Sequence, residues 1–419
     1  MRIKFLGGTR FVGKSGVLLK GEKTNLLLDY GVLLLREEPG FPIHVPPKEV
    51  DGIILTHAHL DHSGAVPFLY VADGMPLITT NLTFELTELL VEDFLKLSGF
   101  YLPYEYLDLL SMRRHLERIS FNEVRNIKDT TIHLKEGGHL PGAGSAVVEI
   151  DGKKILYTGD INARKTTLLR GADIDFGEID VLITESTYAS QEHVNREKVE
   201  KSFVEYACEI IERGGTLLVP AFAVGRAQEM AMILYKEKFP HDVYMDGMAL
   251  KTNEILLRNS EHVRDTNMFT KTLNWIKRVE GWRDRRRIVK EPCVIISPAG
   301  MLVGGAAAFY NNIVNKNPIN GIAFVSYQIK GTPGRQMLET GLSIINGKPQ
   351  KVRAEVRNFE LSSHSGRSEL FDMIKKVKGD PKVFTMHGEE ENCVNFANDI
   401  KEKFGLDAVA PRTGDEFEI

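Results

Sequence analysis

Between Thr56 and His62 the chain reads Thr-His-Ala-His-Leu-Asp-His, placing four metal-grade side chains within six positions, directly after the apolar run Gly52-Ile53-Ile54-Leu55. Imidazoles two residues apart can point the same way off an extended segment, so His57 and His59 can share one ion. Asp61 and His62, a turn later, are placed to reach a second ion beside it. Nitrogen and carboxylate donors without a cysteine suit Zn²⁺ or a similar divalent cation. A merely solvated polar cluster is the competing reading, but free imidazoles rarely bunch in this way.

Such a cluster needs a scaffold that holds it, and one device recurs along the chain. Thr24 to Leu28 is a short apolar run ending at Asp29, and Thr131 to Leu134 leads through Gly137-Gly138 to His139. Lys154 to Thr158 runs into Gly159-Asp160, Val181 to Thr184 into Glu185, and Lys382 to Met386 into His387. Each is a core-type strand followed by a ligand-grade residue. A single Asp after a strand is most often a turn or cap residue. Five such ends beside the histidine cluster predict one site assembled along a sheet edge.

These residues carry a resemblance. The His-x-His-x-Asp-His segment resembles the signature of the metallo-β-lactamase superfamily, with Asp29, His139 and Asp160 matching its other metal-site motifs. Glu185 in Glu-Ser-Thr-Tyr, His364 in Ser-Ser-His-Ser and His387 in Met-His-Gly resemble the three further motifs of the β-CASP nucleases, the branch that includes RNase J and the endonuclease of the cleavage and polyadenylation machinery. Pro220 to Glu229 and Ser297 to Gly305 are also similar to β-CASP stretches, so the resemblance spans nearly the whole chain in order.

The resemblance implies an α/β protein: a metallo-β-lactamase αββα sandwich with an inserted β-CASP domain, mostly parallel in its sheet. The sandwich is expected over 1–195 and 351–419 and the insert over 196–350. The residues give the same order, because ligand-bearing strand ends stop near Asn195 and resume with His364 and His387. In between, the helix around Val199 to Ile211, strand Thr216 to Val219, helix Arg226 to Phe239 and strands Asp242 to Met245, Val294 to Ser297 and Gly321 to Ser326 alternate as in a parallel α/β sheet. Asn81 to Leu97 has helical spacing in the first part.

By the same resemblance His57, His59 and His139 hold one zinc ion, with manganese as the alternative metal. Asp61, His62 and His387 hold a second, and Asp160 bridges them. Two cations roughly 3.5–4 Å apart lower the pKa of a shared water, generate hydroxide at neutral pH and neutralise a phosphodiester oxygen. His364 is implied as general acid, Glu185 as the carboxylate that orients it, and Asp29 as the acceptor that fixes a ligand imidazole. A histidine at the position of His387 is shared with RNA-cleaving branches of the group. The implied function is hydrolysis of single-stranded RNA to 5′-phosphate and 3′-hydroxyl ends, with endonucleolytic and 5′-to-3′ exonucleolytic action both open. A hydrolase of a small ester or thioester is the alternative, sharing the ions but giving no reason for Glu185, His364 or the insert.

One motif points elsewhere. Gly8-Thr-Arg-Phe-Val-Gly13-Lys14-Ser15 fits the Walker A expression, but a phosphate-cradling loop needs a helix to begin at the lysine. The following Gly16 to Asp29 reads instead as strand, turn and strand.

Composition bounds the rest. The 419 residues, 42% hydrophobic and 26% charged, suit about two globular domains. Three scattered cysteines give no framework and suggest a reducing compartment. With neither a secretory signal core nor a membrane span, the expectation is a cytoplasmic protein acting alone, as a homo-oligomer or in an RNA-processing complex. A net charge of −4 excludes nucleic-acid binding through overall charge, though not through local clusters such as Arg283-Asp-Arg-Arg-Arg287.

Overall fold

A computed structural model describes residues 1–34, 39–71, 74–98, 102–345 and 348–419. The chain forms two compact units. Unit 1 comprises Met1–Lys165, Arg170–Glu192 and Ser363–Ile419; unit 2 comprises Thr166–Leu169 and His193–Ser362.

Unit 1 begins with β1 (Arg2–Gly7), β2 (Gly16–Lys20), β3 (Asn25–Leu28), β4 (Gly52–Ile54), β5 (Leu77–Thr79) and β6 (Leu116–Arg118). These are neighbours in sequence order in one sheet, antiparallel from β1 to β3 and parallel from β3 to β6. Because β2 rather than a helix follows Ser15, the Walker A reading fails on its own structural requirement.

A second sheet starts with β7 (Val124–Ile127), β8 (Thr130–Glu136), β9 (Gly144–Ile150), β10 (Lys153–Tyr157) and β11 (Val181–Glu185). The inner faces of the two sheets share a core in which Phe5, Val17, Leu28 and Ile54 meet Leu134, Val148, Ile155 and Ile183. The pattern follows the period of a strand, with alternate residues facing inward. Leu18, Leu27, Ile53 and Leu77, the residues of opposite parity, pack instead with Phe84, Val91 and Phe94 of the helix Asn81–Ser98.

Unit 2 contains β12 (Leu217–Pro220), β13 (Val243–Met245), β14 (Lys277–Arg278), β15 (Val294–Ser297), β16 (Gly321–Phe324), the antiparallel pair β17 (Leu342–Ile345) and β18 (Lys348–Lys351), and β19 (Glu355–Asn358). Six of these form a sheet of order β14-β13-β15-β12-β16-β19, parallel at every pairing. Its central strands are short, apolar and fully buried, as strands covered on both faces must be. The unit extends past the expected limit at 350 because β19 adds to the edge of this sheet beside β16, and the chain returns to unit 1 at Ser363.

A network of buried charge holds unit 2 together. Glu229 receives Arg196 Nη2 on Oε1 at 2.6 Å and Arg226 Nη1 on Oε2 at 2.5 Å, with Lys236 and Arg196 on neighbouring Glu200. Arg196 Nη1 also donates to Ser362 O at 2.9 Å, tying the first helix of the insert to its last residue.

Back in unit 1, β20 (Lys382–Met386), β21 (Ala408–Val409) and β22 (Glu416–Glu418) complete the sheets, β22 beside β1 and β20 beside β11. Helices Arg367–Lys376 and Glu390–Phe404 cover the outer face of the second sheet through Leu370, Ile374, Phe396 and Ile400. The result is the expected αββα sandwich with an α/β insertion. Among the described residues no helix is long and apolar enough to cross a membrane.

Candidate metal centre and active site

Unit 1 carries every metal-site and catalytic residue expected from the sequence, nearly all at or just beyond strand ends. Asp29 follows β3; His57 and His59 follow β4, with Asp61 and His62 on the short helix Leu60–Ser63; Asp160 follows β10 and His387 follows β20. Glu185 is the last residue of β11 itself. Asp29 (φ 55°) and His387 (φ 49°) adopt the left-handed conformation, which turns the chain sharply off the strand. Such conformations in non-glycine residues concentrate where function fixes them. Before His139, Gly138 has φ 67°, and a Cβ there would collide with the backbone oxygen of Asn162, so only glycine fits.

The side chains converge tightly. One ligand atom from each of His57, His59, His139 and Asp160 lies within 4.8 Å of all the others; the same holds for His62, Asp160 and His387, and for His57, Asp61 and His62. Asp160 Oδ2 is 3.5 Å from both His57 Nε2 and His139 Nε2, while its Oδ1 is 3.3 Å from His62 Nε2 and 3.2 Å from His387 Nδ1. Its two oxygens therefore face the two histidine groups. Asp61 Oδ2 is 3.2 Å from His387 Nε2.

Hydrogen bonds behind the rings decide which nitrogens are left for a ligand. Asp29, wholly buried, accepts from Thr56 N at 2.8 Å, Thr56 Oγ1 at 2.8 Å, Tyr157 OH at 3.0 Å and His62 Nδ1 at 2.7 Å. Because Thr56 Oγ1 gives its hydrogen to Asp29, it must accept the Nδ1–H of His57, 3.1 Å away. The lone pair of His57 then lies on Nε2, a buried atom that makes no hydrogen bond. His139 Nδ1 donates to Ser363 O at 2.8 Å, which likewise puts its lone pair on Nε2, 3.1 Å from His59 Nδ1. His62 Nε2 and His387 Nε2 approach to 3.1 Å.

Electrostatics separates the groups. Burial pushes His57 and His139 well below the ordinary imidazole range, assisted by the charges of His62 and His364 respectively, and burial takes His59 down to about 4. These rings are neutral donors. At Asp160 burial works upward, but His387, His62 and His364 outweigh it and keep the carboxylate ionised. For His62 burial works downward, and the Asp160 and Asp29 charges overcome it, raising its affinity for a proton. Positive charge is what this pocket selects, and the buried His57 Nε2 is left without a hydrogen bond. The residues present thus fit a divalent cation, by donor type and by outer hydrogen bonding.

His364 lies beside this cluster, its ring centroid 4.4 Å from that of His139. Its Nδ1 is 2.9 Å and 3.0 Å from the two oxygens of Glu185, and Glu185 Oε1 also accepts from Ile161 N at 2.8 Å. Burial would lower the His364 pKa, but the Glu185, Asp160 and Asp61 charges and the Glu185 hydrogen bond raise it to about 9.

Sequence reasoning passed over Thr56, Tyr157, Ser363 and Ser15. Thr56 opens the histidine segment, a legible signal, whereas Tyr157 lies in a strand that reads as core and meets Asp29 only through the fold. Ser363 contributes a backbone carbonyl, for which residue type carries no signal. Ser15, from the Walker A look-alike, brings Oγ to 3.4 Å from His62 Nε2.

Comparison with known proteins agrees with this construction. Family profiles described as the metallo-beta-lactamase superfamily, the Beta-Casp domain and a Zn-dependent metallo-hydrolase RNA specificity domain match residues 9–192, 227–337 and 349–411. The chain is 37% identical to the RNase aCSPSF2 of Saccharolobus solfataricus, over 100% of this chain and 85% of that one. It is 35% identical to a probable RNase MJ4 of Methanocaldococcus jannaschii, over 100% of both chains, and 32% identical to the transcription termination factor FttA of the same organism, over 100% of this chain and 72% of that one. A crystal structure of a protein of unknown function from Enterococcus faecalis V583 superposes with a TM-score of 0.59 at 14% identity, over 99% of each chain, which speaks to the fold alone. Sandwich and insertion, together with relatives matched over the whole of this chain, establish that it belongs to the β-CASP ribonuclease family of the metallo-β-lactamase superfamily.

Proposed function

We propose that this protein is a two-zinc ribonuclease that hydrolyses single-stranded RNA to 5′-phosphate and 3′-hydroxyl ends. The observation that carries the reading is the pairing of two convergent donor groups about Asp160 with a His364–Glu185 pair beside them. The description of the matched RNA specificity domain and the ribonuclease names of the relatives support the substrate, and the same description supports zinc.

In this reading His57, His59 and His139 hold one ion, Asp61, His62 and His387 the other, and Asp160 serves both. The bound cations supply an activated water and offset the charge that builds on the scissile phosphate. The chain supplies the rest. Asp29 fixes the tautomer of His62, and Thr56, hydrogen-bonded to Asp29, fixes that of His57. As the P–O3′ bond breaks, its electron pair goes to the 3′ oxygen, which takes a proton from His364 Nε2. Glu185, on Nδ1, keeps the ring charged until that moment and orients it. A small ester or thioester would leave this pair without a task.

Elemental analysis of metal-replete protein tests the assignment: two zinc ions per chain are expected, and one in Asp160→Ala at equal free zinc. A folded, replete protein with a single ion, or an Asp160→Ala variant with both, contradicts the shared carboxylate.

A further inference from the structure

Unit 2 presents an aromatic and cationic surface that the chemistry of unit 1 does not use. The helix Trp282–Ile288 reads Trp-Arg-Asp-Arg-Arg-Arg-Ile and buries only its last residue. Trp282, one of two tryptophans in the chain, is 55% exposed. Exposing an indole forgoes a large burial gain, so its position calls for an explanation.

The ring is held rather than loose. Arg285 places its guanidinium 4.8 Å from the indole, and Phe309 meets the ring edge-on at 5.2 Å and 88°. Arg285 is itself fixed by a two-pronged pairing with Asp246, at 2.7 Å and 3.0 Å. That carboxylate is buried just beyond the end of β13 and also accepts from Tyr310 OH at 2.8 Å. A chain of contacts from the core to the surface thus holds the indole, while much of the residue stays open to solvent. Rigid aromatic surface of this kind binds at a low entropic cost.

The flanking cations differ in availability. Arg287 is engaged by Asp284 and Glu291, at 3.4 Å and 3.3 Å. Arg283 and Arg286, both exposed, form no ion pair or hydrogen bond with a described residue. In a chain of net charge −4 this is a local excess of positive charge beside an exposed ring. An acidic protein surface could answer the charge, but single-stranded nucleic acid carries a phosphate and an unpaired base in every residue and so answers the cations and the indole together.

We propose that Trp282, Arg283 and Arg286 form a stacking platform for single-stranded RNA, with a base on the exposed indole and adjacent phosphates on the two guanidinium groups. The identity of the strand as RNA rests on the ribonuclease reading of unit 1. Stacking tolerates any base, so the platform adds affinity without sequence preference.

The test is fluorescence anisotropy of the zinc-loaded protein with a nuclease-resistant phosphorothioate oligouridylate over a range of salt concentrations. Trp282→Ala is expected to raise Kd by about 5- to 150-fold. The Arg283→Ala, Arg286→Ala double variant is expected to flatten the slope of log K against log salt by about 1.4, or about 0.7 for each phosphate left without its arginine. Trp282→Phe, which keeps a ring, should recover part of the affinity. Unchanged Kd and slope in the first two variants overturn the platform. So does a change in self-association on sedimentation without a change in Kd, which would assign the face to a second copy of the chain. A wild type that binds the oligonucleotide through Trp282 yet cleaves no ordinary RNA leaves the platform standing and removes the ribonuclease reading instead.

Discussion

At His364 two effects compete for one proton: burial disfavours the charged ring, and the carboxylates of Glu185, Asp160 and Asp61 favour it. The carboxylates win and set the pKa near 9, above the ordinary 6.5, so the protonated form survives through neutral pH. An acid of raised pKa works below that value and fails as pH rises through it. The rate on RNA should therefore fall on the alkaline side, at a pH drawn below 9 by the positive charge of bound cations. His364→Ala should keep both metals, lose this alkaline limb and cleave about 10²–10⁴-fold more slowly. On a nitrophenyl phosphodiester, whose leaving oxygen departs unprotonated, the deficit should shrink. An equal deficit on both substrates, or loss of a metal, would make His364 a ligand or a positioning residue. Residues of this kind were unequally legible. His57 to His62 announce themselves by local density, whereas the pairing of Glu185 with His364 joins positions 179 apart and rested on family motifs. Tyr157 was missed because its strand reads as core, and only the fold brings its hydroxyl to Asp29.

The elements that bring these residues together are short strands that stop abruptly, and their ends are where a small change should matter most. Gly31 is such a point: a Cβ there would collide with the carbonyl of Asp61, which is backbone and cannot yield as a side chain would. Gly31→Ala should push the Asp61 backbone away, cost about 1–3 kcal/mol of stability and weaken the second ion relative to the first. Zinc titration followed by thermal melting checks this, and two ions bound with wild-type affinity would contradict it. In unit 2, Glu229→Gln removes the buried carboxylate that Arg226 and Arg196 share, and should cost about 3–5 kcal/mol in denaturant unfolding. A loss under about 1 kcal/mol would show that the cluster is hydrated or rearranges. Long apolar runs made most core elements readable: Val294–Ser297 and Lys382–Met386 fall where their sequences place them. By contrast β6 and β19 are half-polar edge strands with no period strong enough to read, and β19 is what carries unit 2 past 350.

Over the whole molecule, chemistry and substrate handling fall to different parts of one chain. Unit 1 gathers buried imidazoles and carboxylates at strand ends, and unit 2 offers a parallel sheet with a cationic, aromatic exposed helix. The net charge of −4 over the whole chain makes local clusters, rather than the global field, responsible for meeting a polyanion. The central claim, metal-dependent hydrolysis of RNA, is tested most directly by one assay. Metal-replete and chelator-treated protein are each given 5′-labelled single-stranded RNA, matched DNA and a small thioester, and the product ends are identified. The expected result is cleavage of the RNA in preference to the DNA and the thioester, abolished by chelation, restored by zinc, and leaving 5′-phosphate and 3′-hydroxyl ends. Cleavage that persists after the metal is removed, turnover of the thioester alone, or 2′,3′-cyclic phosphate ends, which mark attack by the RNA's own 2′-hydroxyl, would contradict it.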